Sequence, residues 1–239
     1  MTLQNKRIVV LGGSSGIGLA VAKAAAREGA ALVIVSSRQA KVDAAVAELP
    51  PGTEGRAVDL TDEGSVKALF AELGVFDHLV FTAGETLQLG ALAGTDVETA
   101  RRFFDLRYWG AFRAAKYGAP SLRPGGSIVF TSGLAGARPH AGWALGASIC
   151  SAMEGLTRAL AVELAPVRVN IVSPGVVRTP LWAEMAAADR DALYQTMAGA
   201  LPVGHVGEAE EVAEAYLYLM RQTYGTGQVL GVDGGGALV

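Results

Sequence analysis

Short unbroken apolar runs alternate along this chain with longer stretches whose apolar positions recur every three or four residues. Runs of the first kind, bounded by turn residues, predict strands buried on both faces, and the second periodicity predicts helices with one face on a core. The first run covers residues 8–11 and breaks into Gly12-Gly13-Ser14-Ser15-Gly16-Ile17-Gly18. It resumes as an alanine-rich helix through residue 28, which Gly29 closes. Further strands are expected at residues 31–35, 55–58, 78–81, 127–131, 168–172 and 227–232. Helices are expected at residues 39–49, 96–121, 143–166, 181–200 and 208–220, with one more after Thr61 or Asp62, either of which can cap it. His78 reads as a strand-edge histidine. The alternation implies an α/β fold: a single doubly wound domain over residues 1–239, with a mainly parallel sheet of about seven strands flanked by helices.

Composition narrows the function classes. A chain of 239 residues, 51% of them hydrophobic, can bury one sizeable core. The formal charge of −3 and the scattered lysines and arginines leave no footprint for nucleic acid. No apolar span approaches the ~20 residues a bilayer crossing needs, and glycines interrupt the apolar run near the start, so a cytoplasmic protein without a membrane partner is expected. Cys150 has no second cysteine to pair with, which suits a reducing compartment. No metal site is expected.

The glycine turn between the first strand and helix meets three demands at once. Glycine permits positive φ and close backbone approach, and a helix start offers unpaired N–H groups and partial positive charge, a combination suited to a pyrophosphate. The spacing of Gly12, Gly16 and Gly18 is Gly-x-x-x-Gly-x-Gly, the form found in short-chain dehydrogenases/reductases, and the chain resembles that family over nearly its whole length. The resemblance implies a Rossmann-like domain that binds a nicotinamide cofactor, with Gly12, Ser14, Ser15, Gly16, Ile17 and Gly18 around its phosphates. In a doubly wound sheet the end of the second strand faces the adenosine ribose, where an acidic residue would accept from the 2′-hydroxyl. This chain has Ser37 and Arg38 there, a hydroxyl and a planar cation that suit a 2′-phosphate, so NADP(H) is the expected cofactor. By the same resemblance Asp59 and Leu60 lie at the adenine, and Ala83 and Gly84 keep the second half of the family's Asn-Asn-Ala-Gly. Pro174, Gly175, Val177 and Thr179 match its Pro-Gly-x-x-x-Thr, which holds the nicotinamide amide. Residues 180–200 correspond to the family's substrate-covering helices, where Trp182 and Met185 either contact a substrate or pack on the core. Homo-oligomerisation as a dimer or tetramer is the corresponding expectation.

The chain departs from the family where the chemistry is done. The tetrad asparagine is replaced by Arg107, the serine falls on Gly133 with Ser132 one place upstream, and the tyrosine and lysine positions are Gly146 and Cys150. No lysine follows Lys116 and no tyrosine lies between Tyr117 and Tyr194, so sliding the alignment restores nothing. Arg107 brings a permanent cation that can stabilise an oxyanion, bind a carboxylate, or fill vacated space and pair with Asp105 or Glu85. His140 stands in a loop that lines the pocket in relatives, and Cys150 reads as a small buried hydrophobe. By its residues the chain is an NADP(H)-binding protein unable to perform Tyr/Lys-dependent carbonyl reduction, with a sensor or partner-subunit role. The alternative is an atypical NADP(H)-dependent reductase of a small carbonyl or acidic substrate, using Arg107 with Ser132 or His140.

Overall fold

Ile8, Val9, Val10 and Leu11 are sealed from solvent on both sides of the sheet, as an unbroken apolar run requires. The computed structural model describes residues 2–85, 87 and 89–239. In chain order its elements are β1 (Arg7–Leu11), α1 (Gly16–Arg27), β2 (Ala31–Ser36), α2 (Gln39–Ala47), β3 (Glu54–Ala57), α3 (Glu63–Leu73), β4 (Phe76–Phe81), α4 (Val97–Phe104) and α5 (Ala111–Gly118). There follow β5 (Leu122–Thr131), α6 (Ala144–Glu163), β6 (Arg168–Pro174), β7 (Val177–Arg178), α7 (Ala187–Ala200), β8 (Gly207–Glu208), α8 (Ala209–Arg221) and β9 (Val229–Val232). Seven strands form one sheet in the order β3-β2-β1-β4-β5-β6-β9, every neighbouring pair parallel. This is the doubly wound α/β fold.

Alternation along each strand divides the core into two layers. Ile8, Val10, Ile34 and Val80 point towards α1 and α8, where Ala20, Ala24 and Ala25 let the two helices pack closely. Val9, Leu11, Leu79 and Phe81 point the other way, into the layer with Phe70 of α3, Ala111 of α5 and Met153 of α6. The chain leaves β1 in opposite directions to reach β2 and, later, β4, so a crevice opens at the carboxyl ends of β1 and β4. No helix among the described residues is long and apolar enough to cross a membrane.

Three local expectations change, the first at residues 181–200, where a 3-10 turn at Pro180–Trp182 and turns through residue 186 precede α7 in place of one helix. Residues 96–121 are not one regular helix: Asp96 caps α4 by accepting from the Thr99 amide at 2.8 Å, but a π-helical turn at Asp105–Gly110 separates α4 from α5. A Cβ on Gly110 would stand 3.3 Å from the Leu60 carbonyl oxygen and 3.4 Å from the Phe81 ring, so the turn tucks Gly110 in and swings Arg107 towards the crevice. His78 is not at a strand edge. It is 4% exposed, on a central strand, with Nδ1 2.8 Å from the Ser127 hydroxyl on β5.

Candidate functional site

The turn after β1 is held by hydrogen bonds from the Gly12 and Gly13 amides to the Val35 carbonyl, at 2.9 and 3.2 Å. Gly12 has φ +87°, and a Cβ there would lie 2.5 Å from the Ala83 amide nitrogen. At Gly18 a Cβ would collide with the Gly12 carbonyl and the Thr82 hydroxyl. These glycines let β1, β4 and the start of α1 converge. Thr82 takes part in the junction: its hydroxyl lies within hydrogen-bond reach of the Leu11 and Gly12 carbonyls, at 3.2 and 3.3 Å. One side chain thereby ties the ends of β4 and β1 where the family has asparagine.

Ser15 precedes α1 in extended conformation and its hydroxyl makes no capping bond, so the first-turn amides at Gly16, Ile17 and Gly18 are open to an anion. Ser14 bonds the Ser36 hydroxyl at 2.8 Å, linking the turn to the end of β2. Exposed Arg38 caps α2 and has no ion-pair partner among the described residues. Ser37 is exposed beside it. Open amides at one end and an unpaired cation at the other fit a phosphorylated dinucleotide. Asp59 directs one carboxylate oxygen to the Thr61 amide and hydroxyl, at 2.8 and 2.7 Å, while neighbouring Leu60 is buried. Across the crevice, a Cβ on Gly16 would touch Thr179 and Pro180, at 3.4 and 3.5 Å, so the glycine turn faces the loop after β6. Pro174 ends β6, Gly175 donates to the Val232 carbonyl at 3.0 Å, and the Val177 carbonyl accepts from the Trp182 indole at 3.0 Å. Trp182, 5% exposed, packs with Val176, Tyr194 and Val206.

Beyond this crevice lies a small cavity of about 40 Å³, lined by Phe81, Thr82, Arg107, Ser132, Ile149 and Cys150 among others. The Arg107 guanidinium rests in space that Gly84 leaves free, since a Cβ there would stand 2.7 Å from Cζ. It hydrogen-bonds the Glu85 backbone carbonyl, approaches the Glu85 carboxylate at 3.6 Å, and lies 5.3 Å from the centre of the Phe103 ring. Of the two acids its sequence neighbourhood offers, the fold selects Glu85. Burial lowers the Arg107 pKa, opposed by the Glu85 charge, and burial raises that of the Glu85 carboxyl. Arginine stays charged through such shifts.

Ser132 donates towards the Cys150 carbonyl at 3.2 Å and the Glu154 carboxylate at 3.1 Å. Glu154, one turn after Cys150 on α6, was missed by motif matching; the i, i+4 spacing from Cys150 was the available signal. A Cβ on Gly133 would lie 3.3 Å from the Cys150 Sγ, so the missing side chain at 133 makes room for the thiol. Burial pushes that thiol up, against the opposing influence of the Ser132 hydroxyl and the Arg107 charge. Gly146 lies one turn before Cys150 on α6, and a Cβ added there meets nothing within 4 Å. His140 is exposed, its ring edge-on to Trp143 with centroids 5.5 Å apart, and it does not line the cavity. The structure thus brings Arg107 and Ser132 together and leaves His140 aside.

The family model described as Enoyl-(Acyl carrier protein) reductase matches residues 12–236. The short-chain dehydrogenase/reductase fsr5 of Gibberella fujikuroi is 35% identical over 98% of this chain and 95% of its own length. A solved small-chain dehydrogenase in complex with NADPH is 39% identical, with a TM-score of 0.85 over 99% of this chain and 100% of that one. The MalC Reductase/Diels-Alderase of Malbranchea aurantiaca superposes with a TM-score of 0.90 at 32% identity, covering 98% of this chain and 96% of that one. With its fold, its glycine turn and these whole-length matches, the chain belongs to the short-chain dehydrogenase/reductase family of oxidoreductases.

Proposed function

We propose that this chain is an NADP(H)-binding member of its family that does not perform tyrosine- and lysine-dependent carbonyl reduction, and that it acts as a sensor or partner subunit. The observation that carries the reading is the α6 face, which offers Gly146 and Cys150 where the resemblance puts the acid and its activating cation. Gly12, Ser14, Ser15, Gly16, Ile17 and Gly18 would hold the pyrophosphate, with Ser37 and Arg38 at the 2′-phosphate. Asp59 and Leu60 would flank the adenine, and Ala83, Gly84, Pro174, Gly175, Val177 and Thr179 the nicotinamide half. NADPH, when bound, supplies a hydride at that end. A positioned general acid contributes ~10²–10⁴ in rate, and no tyrosine or lysine is among the described residues that line the cavity. The Arg107 guanidinium remains protonated at neutral pH, so it can polarise an acceptor but transfers a proton poorly.

The test is a fluorescence titration with NADPH and NADH followed by turnover assays on small carbonyls. NADPH binding without appreciable oxidation is expected; rapid NADPH oxidation with any of these carbonyls overturns the reading.

A second reading, an atypical reductase, draws on the convergence of Arg107 and Ser132 on one cavity. Arg107 would stabilise developing negative charge on an activated or acidic acceptor, with Ser132 orienting it. Turnover unchanged in Arg107→Ala rules that role out. Assembly as a homo-oligomer is part of the proposal. It is supported by a groove of about 440 Å³ in which Phe104, Tyr108 and Trp109 face Ala152, Gly155 and Ala159, with Trp109 46% exposed.

A further inference from the structure

Residues 179–206 leave and rejoin the body of the chain at one place. β7 and β8, which bracket them, pair as a separate two-stranded sheet in which Val177 faces Gly207 and Arg178 faces Glu208. α7 and the turn before it pack on an apolar cluster of their own, where Tyr194 meets Val176, Trp182 and Val206, and no α7 residue belongs to either layer of the main core. Tyr194 is the one buried side chain of α7. A helix seated on so little apolar surface opens locally more readily than the sheet beneath it. What the seat has in addition is Arg178. Its guanidinium carbon lies 4.3 Å from the centre of the Tyr194 ring, within cation–π range, while its Nε meets the Glu208 carboxylate at 3.2 Å. One side chain at the foot of the segment thus joins β7, β8 and α7. The same residue stands between Val177 and Thr179, and Thr179 faces the glycine turn at Gly16.

We propose that Arg178 is a positioning residue that couples α7 to the cofactor: when the nicotinamide half of NADPH orders Val177 and Thr179, Arg178 holds Tyr194, and with it α7, more tightly on the seat. Fixing the backbone on both sides of Arg178 fixes where its guanidinium stands, so the loss of freedom is shared between the two events. By linkage, a seated α7 strengthens NADPH binding by the same factor. The Arg178–Glu208 pair, with side chains 47% and 51% exposed, is too solvated to hold the helix by itself, and its part is to aim the guanidinium at the ring. In a chain that acts as a sensor, α7 is then the element whose mobility reports cofactor load. This deepens the proposed function and rests on its assignment of Val177 and Thr179 to the nicotinamide end.

The test is amide hydrogen exchange of the full chain, read by mass spectrometry over residues 187–200, for the unmodified protein, Arg178→Met, Tyr194→Leu and the double variant. Without cofactor, Arg178→Met should speed α7 exchange about fivefold, the worth of a half-exposed cation–π contact, and should add almost nothing in the Tyr194→Leu background, where the ring is already gone. NADPH should slow α7 exchange in the unmodified chain at least about fivefold. 2′-Phospho-ADP-ribose, which lacks the nicotinamide, should leave it nearly unchanged, and Arg178→Met should bind NADPH by fluorescence without gaining the α7 protection. Because Arg178 is half exposed, Arg178→Met should leave exchange in β1, β4 and β5 unaltered; if those strands also speed up, Arg178→Gln takes its place under the same expectations. Unchanged α7 exchange in Arg178→Met, an equal effect of that change with and without Tyr194, full NADPH protection of α7 in Arg178→Met, or protection by 2′-phospho-ADP-ribose equal to that by NADPH overturns the coupling. Failure of NADPH to bind the unmodified chain strikes the cofactor assignment instead, and with it the coupling to NADPH, while the cofactor-free comparison of Arg178→Met with Tyr194→Leu still decides whether Arg178 seats α7.

Discussion

His78 makes the stability of this fold depend on pH in a window where few other side chains titrate. Its imidazole is 4% exposed and bonded to Ser127, and burial, reinforced by Arg168 and Lys6 and opposed by Asp77, lowers its pKa from 6.5 to about 4. The folded chain therefore keeps His78 neutral, while the unfolded chain takes up a proton once the pH falls below about 6.5. Its contribution is fully present above pH 6.5, declines as the pH drops, and is gone by about pH 4. At about 1.4 kcal/mol per pH unit, that interval corresponds to about 3 kcal/mol, a large share of a typical 5–15 kcal/mol stability. The perturbation is the double change His78→Leu with Ser127→Ala, which removes both partners and leaves no orphaned hydroxyl between β4 and β5. Urea unfolding of both proteins, followed by circular dichroism at one protein concentration from pH 7 to pH 4, isolates the histidine because the carboxylates are common to both. The unmodified chain should lose about 3 kcal/mol more than the variant across the range. Parallel loss in the two proteins refutes the reasoning and means His78 takes its proton inside the fold.

Other predictions concern the cofactor, the thiol and assembly. Arg38→Asp should lower the preference for NADPH over NADH by about tenfold in fluorescence titrations, the lower end for a charge-assisted contact because the site is exposed; an unchanged ratio removes Arg38 from the 2′-phosphate. Cys150, whose thiol pKa is raised by burial, should react with a thiol reagent at pH 7 more than tenfold slower than in guanidinium-unfolded protein, and equal rates would show an accessible thiolate. Trp109→Glu should shift the sedimentation profile towards monomer by placing a charge in the groove beside Phe104 and Tyr108, and an unmoved profile locates the contact between copies elsewhere.

Pattern along the chain was enough for the seven strands of the main parallel sheet and for the glycine turn, though not for the short β7–β8 pair, because buried strands and helix starts are written in neighbouring residues. It was enough also to place Gly146 and Cys150 one turn apart on one helix. The Asp62 cap of α3, which accepts from Ser65 at 2.7 Å, belongs to the same local class. What only the fold decided was pairing between distant segments. His78 meets Ser127 across 49 residues, Ser132 meets Glu154 across 22, and Arg107 reaches Glu85 across 22 rather than nearby Asp105. The π-helical turn that aims Arg107 is likewise set by the fit of Gly110 under Phe81 and Leu60, which hydrophobic periodicity does not register. Periodicity reports which face of an element is apolar, whereas a buried polar contact depends on which two elements the sheet order brings side by side and on what their packing leaves unsatisfied.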